Sequence, residues 1–341
     1  MKAIVCTKYG TPDVLELREV EKPTPNEDEA LVKVHAASLN AADLEILRGT
    51  WSARFTGPLK PMHKILGSDI AGRIEAVGRN VKHFRPGDEI WGDLSFPLGF
   101  GAFAEYVCVP ENALRLKPAS MTFEEAAAVP SAAVVALHNL RGVGSSSPSF
   151  LLSDRGQIQP GQKVLINGAG GGVGTFAVQI AKSFGAEVTA VCSTRNLGLA
   201  RSIGADHVID YKVEDFTHNG QQYDLVLAVN GYHPISDYLR ALKPEGTYVV
   251  AGGSMAQLFQ AASKGKRISR IGGQITIVLS LTHNWGDLIL IKELLEFGKI
   301  KPIIDGCYPL NKTPEAFWFF EKEHPRGKVV IIVEHNNIHQ P

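Results

Sequence analysis

Up to about Ala119 the apolar positions come in short runs with a period of two. Examples are Ala30–His35 (ALVKVH), Gly72–Val77 (GRIEAV) and Glu105–Val109 (EYVCV), separated by turn clusters such as Arg85-Pro86-Gly87-Asp88. That pattern predicts an irregular, β-barrel-like domain without strand–helix alternation. Near Thr122 the pattern changes: Thr122 followed by Glu125 forms a capping box, and an Ala/Val-rich helix is expected to about Leu140. From Gln162 the text alternates strand and helix: KVLIN, a helix from Val173, EVTAVC, a helix from Asn196, HVID, DLVLAV, a helix from Ile235, TYVVAG. Near-continuous apolar strands in this rhythm predict a doubly wound parallel sheet covered on both faces. A strand near Ile275–Leu279 and a helix near Asp287–Phe297 extend it. After Gly298 the sequence returns to β character, then gives a helix around Pro314–Glu323 and a last strand, KVVIIV. The expectation is an α/β protein of two domains, residues 1–121 with 300–341 in one and residues 122–299 inserted as the other.

Composition narrows the function classes. A chain of 341 residues exceeds one ordinary core. Lys+Arg and Asp+Glu balance at 35 each, so no global field favours nucleic acid or an anionic surface. MKAIVCTKYG lacks the apolar stretch and cleavage site of a signal peptide, and no apolar run approaches a membrane span. A cytoplasmic protein without membrane insertion is expected. Cys6, Cys108, Cys192 and Cys307 form no C-x-x-C pair and read as buried or half-buried thiols.

The sharpest motif follows the apolar strand Lys163–Ile166: Asn167-Gly168-Ala169-Gly170-Gly171-Gly172-Val173-Gly174, then the helical text TFAVQIAKSFG. A glycine-rich turn alone is weak, but between a strand and a helix it has the context of a dinucleotide fingerprint. The glycines permit a tight turn and close approach of backbone N–H groups to a pyrophosphate at the helix N-terminus. An NAD-preferring site would place Asp or Glu at the end of the next strand, about 20 residues on. Here stand Cys192-Ser193-Thr194-Arg195, where Ser193 and Arg195 suit a 2′-phosphate, with Tyr211 and Lys212 nearby. NADPH is therefore the expected cofactor.

The chain also resembles the zinc-less quinone oxidoreductases of the medium-chain dehydrogenase/reductase superfamily, the group that includes alkenal and enone reductases. The resemblance rests on SLNAAD (Ser38–Asp43), LGSDIAG (Leu66–Gly72), VGRNVKHFRPGDEIWG (Val77–Gly92), GAFAEYVCVP (Gly101–Pro110), EEAAAVPSAA (Glu124–Ala133), QPGQKVLINGAGGGVG (Gln159–Gly174), IGADHVIDY (Ile203–Tyr211), IKPIID (Ile300–Asp305) and RGKVVI (Arg326–Ile331). It implies a GroES-like catalytic domain, a Rossmann domain with the active-site cleft between them, and commonly a homodimer. Zinc members of the superfamily carry Cys where Asn40 stands and His-Glu where Ser68-Asp69 stand. Asn and Ser are poor zinc ligands, so a catalytic zinc is not expected.

The resemblance further implies Asn40 and Asp43 as catalytic candidates, Asn40 lining the nicotinamide end and Asp43 orienting local backbone or Asn40. Asp69 is read as structural. Ser131 would contact the nicotinamide or ribose, Gly252 and Gly253 would pass close to the ring, and Gly327 and Lys328 would approach the cofactor from the first domain. Asn230 stands in Leu227-Ala228-Val229-Asn230-Gly231, where relatives carry Asp-x-Val-Gly, and is a candidate polar contact. Glu45 replaces a Tyr found in many relatives, so a tyrosine proton donor is not carried over. An insertion of about a dozen residues, 142–153, is tolerable because closure entropy grows only logarithmically with loop length. Trp51, Phe96 and Trp285 are candidates for a flat apolar acceptor pocket. The function these readings imply is NADPH-dependent hydride transfer to a quinone or α,β-unsaturated carbonyl, a small-molecule acceptor, without zinc. The alternatives are an enoyl-thioester reductase and a non-catalytic NADPH-binding structural or sensor protein.

Overall fold

The computed structural model describes residues 1–95, 100–141, 158–230, 232–253, 274–277 and 286–335. Along the chain come β1 (Lys2–Cys6), β2 (Leu15–Glu19), β3 (Glu29–Ser38), α1 (Ala41–Arg48), α2 (Trp51–Thr56), β4 (Asp69–Val77), β5 (Glu89–Asp93), β6 (Tyr106–Pro110), β7 (Leu114–Leu116), α3 (Phe123–Ala127) and α4 (Pro130–Arg141). Then follow β8 (Lys163–Asn167), α5 (Gly172–Ser183), β9 (Glu187–Cys192), α6 (Leu197–Ser202), β10 (His207–Asp210), β11 (Tyr223–Ala228), α7 (Ile235–Arg240), β12 (Leu242–Val250) and β13 (Gln274–Ile277). A helix Asp287–Glu296, β14 (Ile304–Pro309), a helix Thr313–Glu323 and β15 (Lys328–Ile332) complete the order.

Contacts divide the chain into two units. One holds 1–132 with the described parts of 283–292 and 302–341; the other holds the described parts of 133–282 and 293–301. In the first, β14-β15-β3-β4-β5-β7 form one sheet with β6 also on β3, and β1-β2 form a small antiparallel pair. Its long strand β3 is almost wholly buried because β4, β6 and β15 all pair with it. Side chains from both ends of the sequence fill this core, including Ile4, Val32, Ile70, Phe103, Phe317, Val329 and Ile331.

The second unit is a six-stranded parallel sheet in the order β10-β9-β8-β11-β12-β13. The reversal of strand order between β8 and β11 opens the carboxyl ends at the place where such sheets bind ligands. Leu165, Val191, Val226, Tyr238 and Tyr248 lie in its core.

The single helix expected from Thr122 to Leu140 is two helices. The capping box forms: Glu125 N donates to Thr122 Oγ1 at 3.2 Å and Thr122 N to Glu125 Oε2 at 2.9 Å. The helix then stops because Pro130 disfavours helical backbone at Val129 and lacks an N–H; it restarts with Pro130 as its first residue, where no N–H is needed. All four thiols are free; Cys6 and Cys192 are buried and Cys108 is half-buried, and burial pushes each of these up to about 11. Cys307 is exposed on β14, which corrects the expectation for that residue. Among the described residues no helix is long and apolar enough to cross a membrane.

Candidate active site

The centre of the first unit follows from strand register. β3 runs antiparallel to β4 with Ser38 opposite Asp69, and β15 flanks β3 with Val330 opposite Ser38. The end of β3 therefore meets the start of β4 close to the start of β15. Asn40 is the N-cap of α1 and Ser68 immediately precedes β4. Asp43, fully buried, ties the two together: its Oδ2 accepts from Asn40 N and its Oδ1 from Gly67 N, both at 2.9 Å. Burial, assisted by the negative charge of Asp69, outweighs those two donors and nearby Lys328, and pushes the Asp43 carboxyl up to about 7. Gly67 itself has φ +92, and a Cβ there would sit 2.8 Å from the Phe103 ring.

Beneath this clamp lies a buried polar cluster. Asp69, 0% exposed, accepts on Oδ2 from Ser38 Oγ (2.7 Å), Asn40 Nδ2 (2.9 Å) and Lys328 Nζ (3.1 Å), and on Oδ1 from Ser131 N (2.8 Å). Lys328, 2% exposed, also donates to Leu39 O at 3.0 Å and Asn40 Oδ1 at 2.5 Å. Asn40 Nδ2 donates additionally to Ser68 Oγ at 3.1 Å, and Ser68 Oγ lies 3.4 Å from Ser131 Oγ. Lys328, expected to approach a cofactor, has all three donors engaged in this cluster because β15 pairs with β3. Asp69 links four partners, whereas Ser38 gave no signal in the sequence: its contact depends on pairing across 31 residues. Gly327 before it has φ +75, and a Cβ there would meet Ile303 O at 2.2 Å.

In the second unit the expected cofactor residues fall just after carboxyl ends of parallel strands. Gly168, φ +95, leaves β8; a Cβ on Gly174 would lie 2.1 Å from Gly168 O, and one on Gly170 would lie 2.2 Å from Asn196 Nδ2. The turn Gly168–Gly174, with Gly171 capping α5 and Gly172 and Val173 opening it, can thus be built only by residues without side chains at these points. Ser193 and Arg195 follow β9, with Asn196 Nδ2 3.4 Å from Ser193 Oγ. Tyr211, after β10, is more than half exposed. Asn230 follows β11 and packs beside Gly168, its carbonyl accepting from Asn167 Nδ2 at 3.1 Å. Gly252 follows β12, with space for no Cβ against Val229 O at 2.5 Å, and Gly253, φ +135, comes next. The sequence did not flag Asp210, whose Oδ2 accepts from Thr194 Oγ1 at 2.6 Å beside these residues.

Trp51 is 71% exposed on α2, its ring 6.2 Å from that of Phe55. Phe96 and Trp285 lie outside the described residues.

A GroES-like β unit in one chain with a doubly wound parallel sheet that carries the glycine-rich turn Gly168–Gly174 between strand and helix defines a medium-chain dehydrogenase or reductase. An alcohol dehydrogenase GroES-like domain family matches residues 26–119, and a zinc-binding dehydrogenase family matches residues 203–331. The chain is 36% identical to 2-methylene-furan-3-one reductase of Solanum lycopersicum, over 97% of this chain and 79% of that one. It is 32% identical to the NADPH-dependent alkenal/one oxidoreductase, chloroplastic, of Arabidopsis thaliana, again over 97% and 79%. The solved quinone oxidoreductase from Coxiella burnetii superposes with a TM-score of 0.84 at 29% identity, covering 98% of this chain and 99% of that one. The chain belongs to the medium-chain dehydrogenase/reductase superfamily, in its quinone oxidoreductase and alkenal/enone reductase group.

One of those family descriptions names zinc, and the residues present do not fit it. A catalytic zinc takes three protein ligands, usually thiolate, imidazole or carboxylate. Asn40, Ser68 and Ser131 are neutral, the neighbouring Asp69 carboxylate is already taken up by Ser38, Asn40, Lys328 and the Ser131 N–H, and the Lys328 ammonium sits 2.5 Å from the Asn40 oxygen. A fixed cation in that position repels a dication.

Proposed function

We propose that the protein is an NADPH-dependent reductase that delivers hydride to the conjugated carbon of an α,β-unsaturated carbonyl or to a quinone, without zinc. The observation that carries this reading is the neutral, hydrogen-bonding triad Asn40, Ser68 and Ser131 wired to a buried ammonium. Such a centre cannot ionise an alcohol as a metal does, but it can stabilise an oxygen that gains charge. The Gly168–Gly174 turn would hold the pyrophosphate, Ser193 and Arg195 the 2′-phosphate with Tyr211 beside them, and Asn230, Gly252 and Gly253 the nicotinamide half. When bound, the reduced nicotinamide supplies the hydride. Hydride entry at the β-carbon leaves an enolate, whose oxygen a hydrogen-bond donor would stabilise; a solvent proton then completes the saturated ketone. For a quinone the same bookkeeping gives a hydroquinone. Asn40 belongs to the acceptor centre, and Asp43 fixes the backbone that presents it. Trp51, exposed next to this helix, is our candidate for an apolar wall against a flat acceptor.

The 2′-phosphate reading is supported by the absence of a carboxylate at the end of β9 and by the name of the Arabidopsis relative. We also propose that the protein works as a cytoplasmic homodimer; sedimentation of the purified protein and localisation of a tagged chain test those two points. The activity itself is tested by a stopped-flow screen of NADPH consumption against quinones, short alkenals and enoyl thioesters. Turnover is expected with the first two classes; selective turnover of thioesters, or none at all, would overturn the proposed activity.

A further inference from the structure

The buried cluster has a direction. An ammonium only donates, so the Asn40 atom beside Lys328 Nζ must be its oxygen, and the amide N–H groups point the other way, to Asp69 and Ser68. Both Asn40 donors are therefore engaged inside the protein, and neither is open to an acceptor molecule. Ser68 Oγ receives one of them. Ser68 is 2% exposed, so its own proton needs a partner within the cluster, and the neighbouring oxygen not already donating to it is Ser131 Oγ at 3.4 Å. The protons then order as a chain: Lys328 to Asn40, Asn40 to Ser68, Ser68 to Ser131. Ser131 is half-buried, in the first turn of α4, and its backbone N–H is fixed on Asp69 Oδ1 at 2.8 Å. Its hydroxyl proton has no taker among the described residues.

We infer that Ser131 Oγ–H is the catalytic donor to the acceptor's developing oxyanion, and that Lys328, Asn40 and Ser68 are positioning residues that polarise it. Each hydrogen bond in such a chain strengthens the next, and the positive end is anchored where the carboxylate of Asp69 keeps the ammonium in place. The chain supplies a hydrogen bond and no proton, because the Asn40 amide in its middle does not relay one; the proton on the product comes from water. Asn40 is thereby an internal link of the chain and not its terminal donor. The inference rests on the reductase reading above and assigns its oxyanion-binding group.

Ser131→Ala keeps the backbone bond to Asp69 and removes only the outward donor. Single-turnover hydride transfer is measured with an enone and with a reactive quinone, beside NADPH affinity by fluorescence titration and a thermal melt. The expected result is a loss on the order of 10²-fold with the enone, clearly less with the quinone, and unchanged NADPH affinity. Ser68→Ala leaves the terminal hydroxyl but cuts the chain, and should cost the enone reaction roughly tenfold with the same sparing of the quinone. Enone rates of folded Ser131→Ala within about threefold of wild type would overturn the assignment. So would equal losses on both acceptors together with weakened NADPH binding, which would place Ser131 against the cofactor instead. A wild type that reduces neither acceptor would overturn the reductase reading and this inference with it.

Discussion

Asp43 is a carboxyl without access to water, held by two backbone N–H groups and pushed up to about 7 chiefly by burial. Because the folded value lies above that of the unfolded chain, the native state keeps this proton over a range in which the unfolded state has lost it. The group's contribution is full below about pH 4 and declines as pH rises through 7. Asp43→Asn cannot lose a proton, so the stability of wild type relative to this variant should fall by about 1–4 kcal/mol between pH 4.5 and 7.5, measured by urea unfolding. Lys328→Met leaves Asp69 buried without its cation and should cost about 3–5 kcal/mol in the same assay, with Lys328→Met/Asp69→Asn recovering part of it. On the nucleotide side, the proposed contact of Arg195 with a 2′-phosphate is tested by Arg195→Asp, which would put a repelling charge there. The substitution should weaken NADPH at least tenfold in titration and leave NADH nearly unchanged. Asn40 and Asp43 were singled out through the resemblance of SLNAAD to family members, and the capping pair they form is seen only in the structure. Ser38, Asp69 and Lys328 were not legible as one cluster, since Lys328 and Asp69 stand 259 residues apart and meet only through the register of β3 between β4 and β15.

Among the elements, β8, the glycine turn and α5 show why a motif reads well in its context and poorly alone. Each glycine at a close approach excludes a Cβ by geometry: Gly174 against Gly168 O at 2.1 Å is backbone on backbone, with no flexible end to yield. Gly174→Ala should therefore open the turn, reduce NADPH affinity by at least about tenfold and lower the melting temperature, in fluorescence titration and calorimetry. The parallel strands read as continuous apolar runs and appeared where expected. The long helix after Thr122 did not, because its apolar spacing continues through Val129-Pro130 while the proline ring forbids the backbone to do so. Asp210 shows the opposite failing: it follows from the pairing of β10 with β9, which sets Asp210 beside Cys192, and no local pattern announces it.

At the scale of the molecule, each unit has buried apolar residues of its own among those described, and the proposed dinucleotide turn and the proposed charge-stabilising centre fall in different units. The balance of 35 cationic and 35 anionic side chains leaves recognition to these local sites. On the proposed reading, this chain differs from a metal-using alcohol dehydrogenase in where the hydride lands. A zinc centre polarises a carbonyl and favours attack at the carbonyl carbon, whereas hydrogen bonding to the oxygen of a conjugated system favours entry at the β-carbon. The decisive measurement is the fate of deuterium from NADPH labelled at the transferred position, with an enone acceptor and protein treated with chelator. The label is expected at the β-carbon of a saturated ketone, at a rate the chelator does not change. Deuterium on the carbinol carbon of an unsaturated alcohol, or activity abolished by chelation, would contradict it.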